Sequence, residues 1–295
     1  HRIDNLIEVN HHDLGFLYIP SCVSAYKLTG DLKARDAAIK AAKQLASRYQ
    51  KTGKFIQAWG ELGARDNYRL IVDCLLNIPL LFWASEETGN EEFAEMAKEH
   101  FKTTVKNAIR PDASAFHTFY FDPETGEPAY GKTRQGYSDD SAWARGQAWL
   151  IYGIALCNAY YPVDTNIEYF QAVTNYFLNR LPENFVCYWD LIFDDTSGQP
   201  RDTSAAAIAV CGINQMAIEI PNNENLREYE AWADRILYNL ITHYTEQKAE
   251  GVIALLNEGV YSWHSGKGVD EGNIWGDYYY LEALIRFYKD WNLYW

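Results

Sequence analysis

A pattern recurring about every sixty residues constrains this chain more than any single motif. An apolar helix runs into a Thr-Gly-Asp or Thr-Gly-Asn turn and then into an amphipathic helix rich in Ala, Glu and Lys. Leu14 to Leu28 turns at Thr29-Gly30-Asp31 into Ala34 to Tyr49, and Leu70 to Glu87 turns at Thr88-Gly89-Asn90 into Glu92 to Val105. Gly stands where a helix C-cap needs a left-handed residue, and the Asp or Asn after it suits the next N-cap. A third copy runs from Ala142 to Tyr160, turns at Pro162-Val163-Asp164 and continues from Ile167 to Leu181. A fourth runs from Thr203 to Ile218, through Pro221-Asn222-Asn223, into Asn225 to His243, and a last helix, Trp275 to Trp291, has no partner after it.

Alternating apolar and amphipathic helices predict an inner ring enclosed by an outer one: an all-α toroid of helical hairpins, the (α/α)6 architecture, in one domain over residues 1–295. The loops between hairpins, at 53–66, 110–140, 183–202 and 251–274, are rich in Gly, Asp and aromatics and are expected to collect at one end of the ring. Nine helices against the twelve of six hairpins lead to the expectation of about three more ahead of His1. A targeting segment could stand there too, so cytoplasm and periplasm both fit.

A formal charge of -14 argues against nucleic acid and anionic membrane as partners, although a few placed cations can still hold a small anion. No stretch is long and apolar enough to span a bilayer. Five cysteines without CxxC spacing indicate neither a zinc site nor a disulfide framework, and Cys22, Cys74, Cys157 and Cys211 lie in apolar or Ala-rich runs that predict buried thiols. Nothing in the sequence sets an oligomeric state. The 10 Trp and 22 Tyr suit either a Tyr-rich interior or a carbohydrate cleft.

Two carboxylates stand out. Asp73 interrupts the apolar run Leu70 to Leu80, where a carboxyl must be paired, hydrogen-bonded or protonated, and desolvation there would raise its pKa toward that of a general acid. Asn77, one helical turn on, could orient it; a satisfied structural Asp is the alternative. Asp13, in His11-His12-Asp13-Leu14-Gly15-Phe16, opens the first hairpin at the equivalent place and could equally be an N-cap. Nothing nearby in sequence completes His11 and His12 as a metal site, so neither metal nor cofactor is expected. The run Ser138 to Trp149 packs Asp139, Asp140, Trp143, Arg145, Gln147 and Trp149 into one segment, a mixture suited to stacking on sugar rings and hydrogen-bonding their oxygens, or to an ordinary packed helix start.

These segments, in order along nearly the whole chain, resemble the unsaturated glucuronyl hydrolases of glycoside hydrolase family 88. The matching strings are His12-Asp13-Leu14-Gly15-Phe16, Gln57-Ala58-Trp59, Asp73 with Asn77-Ile78-Pro79-Leu80-Leu81, Phe116-His117, Gln135-Gly136-Tyr137-Ser138-Asp139-Asp140-Ser141, Trp143-Ala144-Arg145-Gly146-Gln147-Ala148-Trp149 and Ile274-Trp275-Gly276-Asp277-Tyr278. The resemblance implies an (α/α)6 barrel that removes a 4,5-unsaturated uronic acid from oligosaccharides left by polysaccharide lyases. An Asp protonates C4 of the vinyl ether, water adds at C5, and the resulting hemiketal opens.

Carried onto this chain, Asp73 is the acid/base and Asp13 its partner carboxylate. His12 belongs to the same segment, His117 and Gln135 position substrate, Arg145 contacts the sugar or its carboxylate, and Trp59, Trp143 and Trp149 form stacking walls. Ser262, Ser265 and Lys267 resemble a Ser-x-x-Ser-x-Lys pattern that holds the sulfate of glycosaminoglycan disaccharides, though Asn158-Ala159-Tyr160-Tyr161 stands where a partner Arg is expected. The related rhamnogalacturonyl branch, acting on pectin fragments, and a noncatalytic glycan-binding toroid are the competing readings.

Overall fold

The helical hairpins are present, and their caps are the predicted ones. In the computed structural model, which describes all residues except 222, 225, 247–250 and 252, Gly30 and Gly89 are left-handed (φ 73° and 72°). Asp31 and Asn90 then accept from the backbone N–H groups of Lys33 and Glu92. The order is α1 (Leu14–Tyr18), a π-helical turn (Ile19–Val23), α2 (Ser24–Thr29), α3 (Leu32–Ala46), α4 (Pro79–Thr88), α5 (Glu91–Ala108), α6 (Ala144–Tyr160), α7 (Asp164–Leu178), α8 (Thr203–Glu219), α9 (Leu226–His243) and α10 (Ile274–Tyr288). The fourth turn's Asn222 and the helix start at Asn225 lie outside the described residues.

Burial separates the helices into the two expected kinds. Every residue of α6 from Ala144 to Asn158 is buried, as is every residue of α8 from Thr203 to Ile213, whereas α5 buries a stripe: Phe93, Ala97, His100, Phe101, Thr104, Val105 and Ala108. α6 and α8 pack closely because Gly212 lacks a side chain: a Cβ there would lie 2.7 Å from the backbone of Tyr152. One apolar core runs from Ile3 to Trp295 across these helices. Among the described residues no helix is long and apolar enough to cross a membrane. Five free cysteines agree with the absence of a disulfide framework; Cys22 is half-buried and the other four are buried, Cys187 included.

The expected helix from Leu70 to Glu87 is not continuous. Arg69–Ile71 is strand β3 and Val72–Leu76 a 3-10 turn, so the helix starts only at Pro79. The reason is distant pairing. After short strands β1 (Tyr49–Gln50) and β2 (Phe55–Ile56), β3 pairs antiparallel with β4 (Thr118–Phe121), and β4 with β5 (Pro128–Lys132). Leu70 and Phe119, directly paired, face a small apolar cluster with Phe55, Tyr68, Ala108 and Phe121. Alternation turns the other face toward a cavity. A second hairpin, β6 (Gly259–Ser262) with β7 (Lys267–Glu271), lies within the last predicted loop.

Candidate active site

Asp13 and Asp73 meet because α1 lies against the 3-10 turn with no room between them. A Cβ on Gly15 would lie 2.2 Å from Asn77 Cα, so the chain after Asp13 can come this close only without a side chain. Asn77 fixes the contact: its Oδ1 accepts from Phe16 N–H at 2.9 Å and its Nδ2 donates to the backbone oxygen of Asp73 at 3.5 Å. Asn77 therefore holds the backbone and does not orient the Asp73 carboxyl as the sequence suggested. Asp13 stands at the N-cap of α1 but makes no side-chain cap bond, which frees its carboxylate for the site.

His12 sits between the two acids. Its Nε2 lies 3.1 Å from Asp13 Oδ1 and 3.5 Å from Asp73 Oδ1, within ion-pair distance but outside hydrogen-bond geometry. Both ring nitrogens of His12 and Asp73 Oδ1 are buried without a hydrogen-bond partner. Stability gains nothing from gathering orphaned polar atoms; such clusters mark functional sites. His11 is tied down separately: Nδ1 accepts from Asp13 N–H at 3.1 Å, which places its proton on Nε2, 3.0 Å from the Glu8 carbonyl.

The charges divide. Burial, with the neighbouring Asp13 carboxylate adding to it, pushes the Asp73 carboxyl up to about 6 despite the opposing pull of His12. Asp13 is held below its ordinary value: burial alone would raise it, but His12 outweighs that. His12 is raised, since Asp13 and Asp73 together overcome the cost of burying its charge. In mildly acidic solution the site therefore holds an ionised Asp13 beside a protonated His12, and a neutral Asp73 that can give up a proton. These three residues also offer one nitrogen and two oxygens within 4.8 Å, a donor set that sequence reasoning did not assemble. A protonated His12 has no lone pair for a metal.

The acids open onto a cavity of about 930 Å³, lined by residues from loops, from strands β3 to β7 and from helices α6 and α10, Asp13 and Asp73 included. Trp59, His117, Gln135, Trp143, Arg145, Trp149, Ser262, Ser265 and Lys267 all line it, so of the residues to which the resemblance gives a site role all but the enclosed His12 reach the cavity wall, whereas Asn77, Asp139, Asp140 and Gln147 do not. His117 Nδ1 accepts from the N–H groups of Arg134 and Gln135 at 2.8 and 3.2 Å, leaving the proton on Nε2. Burial, helped by Arg145 and Arg134, drives its pKa down to about 3, so His117 stays a neutral donor. Gln135 Nε2 donates to the Tyr261 carbonyl at 2.9 Å, which leaves its carboxamide oxygen uncommitted. Ser262 and Lys267 are register partners across the β6–β7 hairpin and so share a face.

Arg145, Trp143 and Trp149 line the cavity but are more enclosed than the rest of the wall. Arg145 is 2% exposed, and its guanidinium is committed to Asp202 (2.8 Å) and to the carbonyls of Val260 (2.6 Å) and Tyr261 (2.9 Å). It lies 4.6 Å from the Trp143 ring and 5.4 Å from that of Trp275. Its bonds to the two carbonyls hold the β6–β7 hairpin to the cavity wall. Trp143 and Trp149 are 5% and 2% exposed, packed against His117 and against Phe16 and Tyr279, so they show edges rather than open faces. Trp59, 43% exposed and stacked on His11 at 4.6 Å, keeps a free face. The sequence offers Arg134 only as part of a polar Gly-containing loop, Arg134-Gln135-Gly136-Tyr137, a weak signal, and gives none for Tyr261, which stacks on Trp275 (5.3 Å, 9°); all three are on the cavity wall. Arg134 directly precedes Gln135, and Trp275 lay in a matching string.

The description Glycosyl Hydrolase Family 88 matches residues 2–289. The chain belongs to glycosyl hydrolase family 88. The chain is 61% identical over 295 residues to the unsaturated chondroitin disaccharide hydrolase of Streptococcus agalactiae serotype III, covering all of this chain and 74% of that protein. The crystal structure of unsaturated glucuronyl hydrolase from the same species matches with a TM-score of 0.97 at 61% identity, over 100% of this chain and 74% of that one. An Asp-to-Asn mutant of that hydrolase, complexed with dGlcA-GalNAc6S, matches with a TM-score of 0.86 at 56% identity, over 100% and 73%. These neighbours carry the α/α toroid, so the hairpins described above are those of a family 88 glycoside hydrolase.

Proposed function

We propose that this family 88 chain, as one catalytic domain, removes the terminal 4,5-unsaturated glucuronic acid from glycosaminoglycan fragments produced by lyases. The observation that carries the reading is the neutral, partly enclosed Asp73 beside an ionised Asp13 at the wall of the cavity. Asp73 gives its proton to C4, the π electrons forming the new C–H bond and leaving positive charge on C5 and the ring oxygen. Water attacks C5 and passes a proton to the Asp73 carboxylate, restoring the acid. The hemiketal then opens by breaking its C5–O bond, and the hemiacetal left at C1 releases the next sugar. Asp13 keeps Asp73 protonated by repulsion, and His12 carries the compensating charge. His117 and the Gln135 carboxamide oxygen position ring hydroxyls and water, Trp59 stacks on a sugar face, and Ser262, Ser265, Lys267 and Arg134 suit a sulfate.

The test is direct. Ultraviolet absorbance of the C4=C5 bond is expected to fall when the protein meets unsaturated chondroitin or hyaluronan disaccharides, and not with unsaturated pectin disaccharides. Steady absorbance across the glycosaminoglycan panel would defeat the proposal, and consumption of the pectin product alone would move it to the rhamnogalacturonyl branch.

The pH dependence follows from the same acid. Activity needs the protonated form of Asp73, so kcat/KM is expected to be level below about pH 6 and to decline roughly tenfold per pH unit above it. Asp13 titrates below the ordinary carboxylate range, which places any acidic limb lower still. A profile that rises from pH 6 to pH 8 would show that Asp73 works as a base from the start.

A further inference from the structure

The cavity is larger and more cationic than one terminal ring and a single sulfate require. In a chain of net charge -14, Arg69, Lys132, Arg134 and Lys267 line its wall, and among the described residues none has a carboxylate at ion-pair distance. Some basic groups elsewhere pair with acids, as Arg35 does with Glu87 and Arg65 with Asp122; what sets these four apart is that they share one concave wall. Unpaired cations on one concave wall concentrate positive potential there and draw in anions.

Lys267 belongs to the β6–β7 hairpin, but Arg69 and Lys132 stand on a different element. Arg69 pairs with Tyr120, and Thr118 with Lys132, across the three-stranded sheet, so all four side chains lie on the face opposite Leu70 and Phe119. That face lines the cavity at Arg69, Thr118, Tyr120 and Lys132. Tyr120 stacks on Tyr130 at 4.8 Å and 15°, with the Arg69 guanidinium 5.5 Å from the Tyr120 ring. Nη1 of Arg69 is anchored on the Asp66 carbonyl and Asn67 Oδ1, at 3.0 and 2.7 Å, which fixes the fork while Nε and Nη2 have no partner among the described residues. β3 runs straight into the turn that carries Asp73, so Arg69 lies about 10 Å back along the chain from the proton donor. The ring whose double bond meets Asp73 does not extend that far.

We propose that the cavity face of the β3–β4–β5 sheet is a distal subsite for an acidic sugar residue of substrates longer than a disaccharide, with Arg69 and Lys132 taking its carboxylate or sulfate and Tyr120 lying against the ring. The inference rests on the function proposed above and extends it to chain length. Arg69 supplies a planar fork suited to a carboxylate or sulfate, Lys132 a mobile point charge, and the tyrosine an amphipathic face.

The test compares an unsaturated chondroitin disaccharide with the corresponding tetrasaccharide, following loss of the C4=C5 absorbance. Arg69→Gln with Lys132→Gln is expected to lower kcat/KM for the tetrasaccharide by about tenfold or more, through KM, while the disaccharide changes by less than about twofold. Lys132→Gln alone, at an exposed side chain without a polar partner among the described residues, should show the same selectivity in smaller degree and keeps the result independent of folding. Equal losses on both substrates, or no loss on either, would overturn the subsite while leaving the proposed function intact, as would a wild-type protein that consumes the disaccharide and refuses the tetrasaccharide. A wild-type protein that consumes neither would overturn both.

Discussion

Asp73→Asn is expected to lower kcat by about 10²–10⁴-fold, the usual contribution of a placed general acid, while tryptophan fluorescence still reports saccharide binding. The amide has nearly the shape of the protonated acid but no proton acidic enough for C4. The same substitution should change stability in a direction that separates it from ordinary damage. In the folded chain the Asp73 pKa lies at about 6, above its ordinary value of 3.8. Such a group contributes its stabilisation fully below the unfolded pKa and loses it as pH rises through the folded one. The native protein therefore carries a penalty above pH 6 that Asn does not, amounting to about 1–3 kcal/mol at ~1.4 kcal/mol per tenfold change in proton affinity. The variant should melt higher than wild type at pH 7.5, with the advantage gone near pH 4. A variant that melts lower at both pH values would mean that the carboxylate is held by partners rather than stranded among apolar neighbours.

Where the sequence was legible and where it was not follows from the range of the interactions involved. Gly30 with Asp31, and Gly89 with Asn90, act on backbone within a few residues, and the hairpin turns they imply stand where the pattern put them. Predominantly apolar α6 and α8 against the striped α5 announced inner and outer helices by composition alone. The misreadings involve distant partners. Leu70 to Leu76 reads as helix until β4 is brought in from the loop at 110–140. Asn77 was assigned to the Asp73 carboxyl because they are one turn apart, yet its main partner is Phe16, 61 residues back. Nothing local announces that Arg145, besides lining the cavity, holds a hairpin, because its partners Asp202, Val260 and Tyr261 lie 57 to 116 residues away. The convergence of Asp13 on Asp73 was readable as an equivalence between repeats, but the intervening place of His12, which holds Asp13 ionised, was not.

Asp202 carries the second large expectation, although no family-like string drew attention to it. Its carboxylate is fully buried and faces an Arg145 that is 2% exposed, with Nη1 to Oδ2 at 2.8 Å. Its other oxygen caps α8, accepting from Ser204 N–H at 3.2 Å and from the Ser204 hydroxyl. Asp202→Ala would leave a guanidinium buried without its anion and uncap the helix, so a loss of about 3–5 kcal/mol is expected by chemical or thermal unfolding. The double variant with Arg145→Met should recover part of that loss, because the stranded charge is gone, and the sum of the single effects should exceed the double one. Arg145 also holds the carbonyls of Val260 and Tyr261, and Gln135 binds the same Tyr261 carbonyl, so the wall bearing Ser262, Ser265 and Lys267 hangs from this pair. KM for a sulfated disaccharide should therefore rise in Asp202→Ala even at temperatures where the variant remains folded. If the variant melts like wild type, Arg145 has another counterion within reach, and the hairpin is anchored by something other than this buried pair.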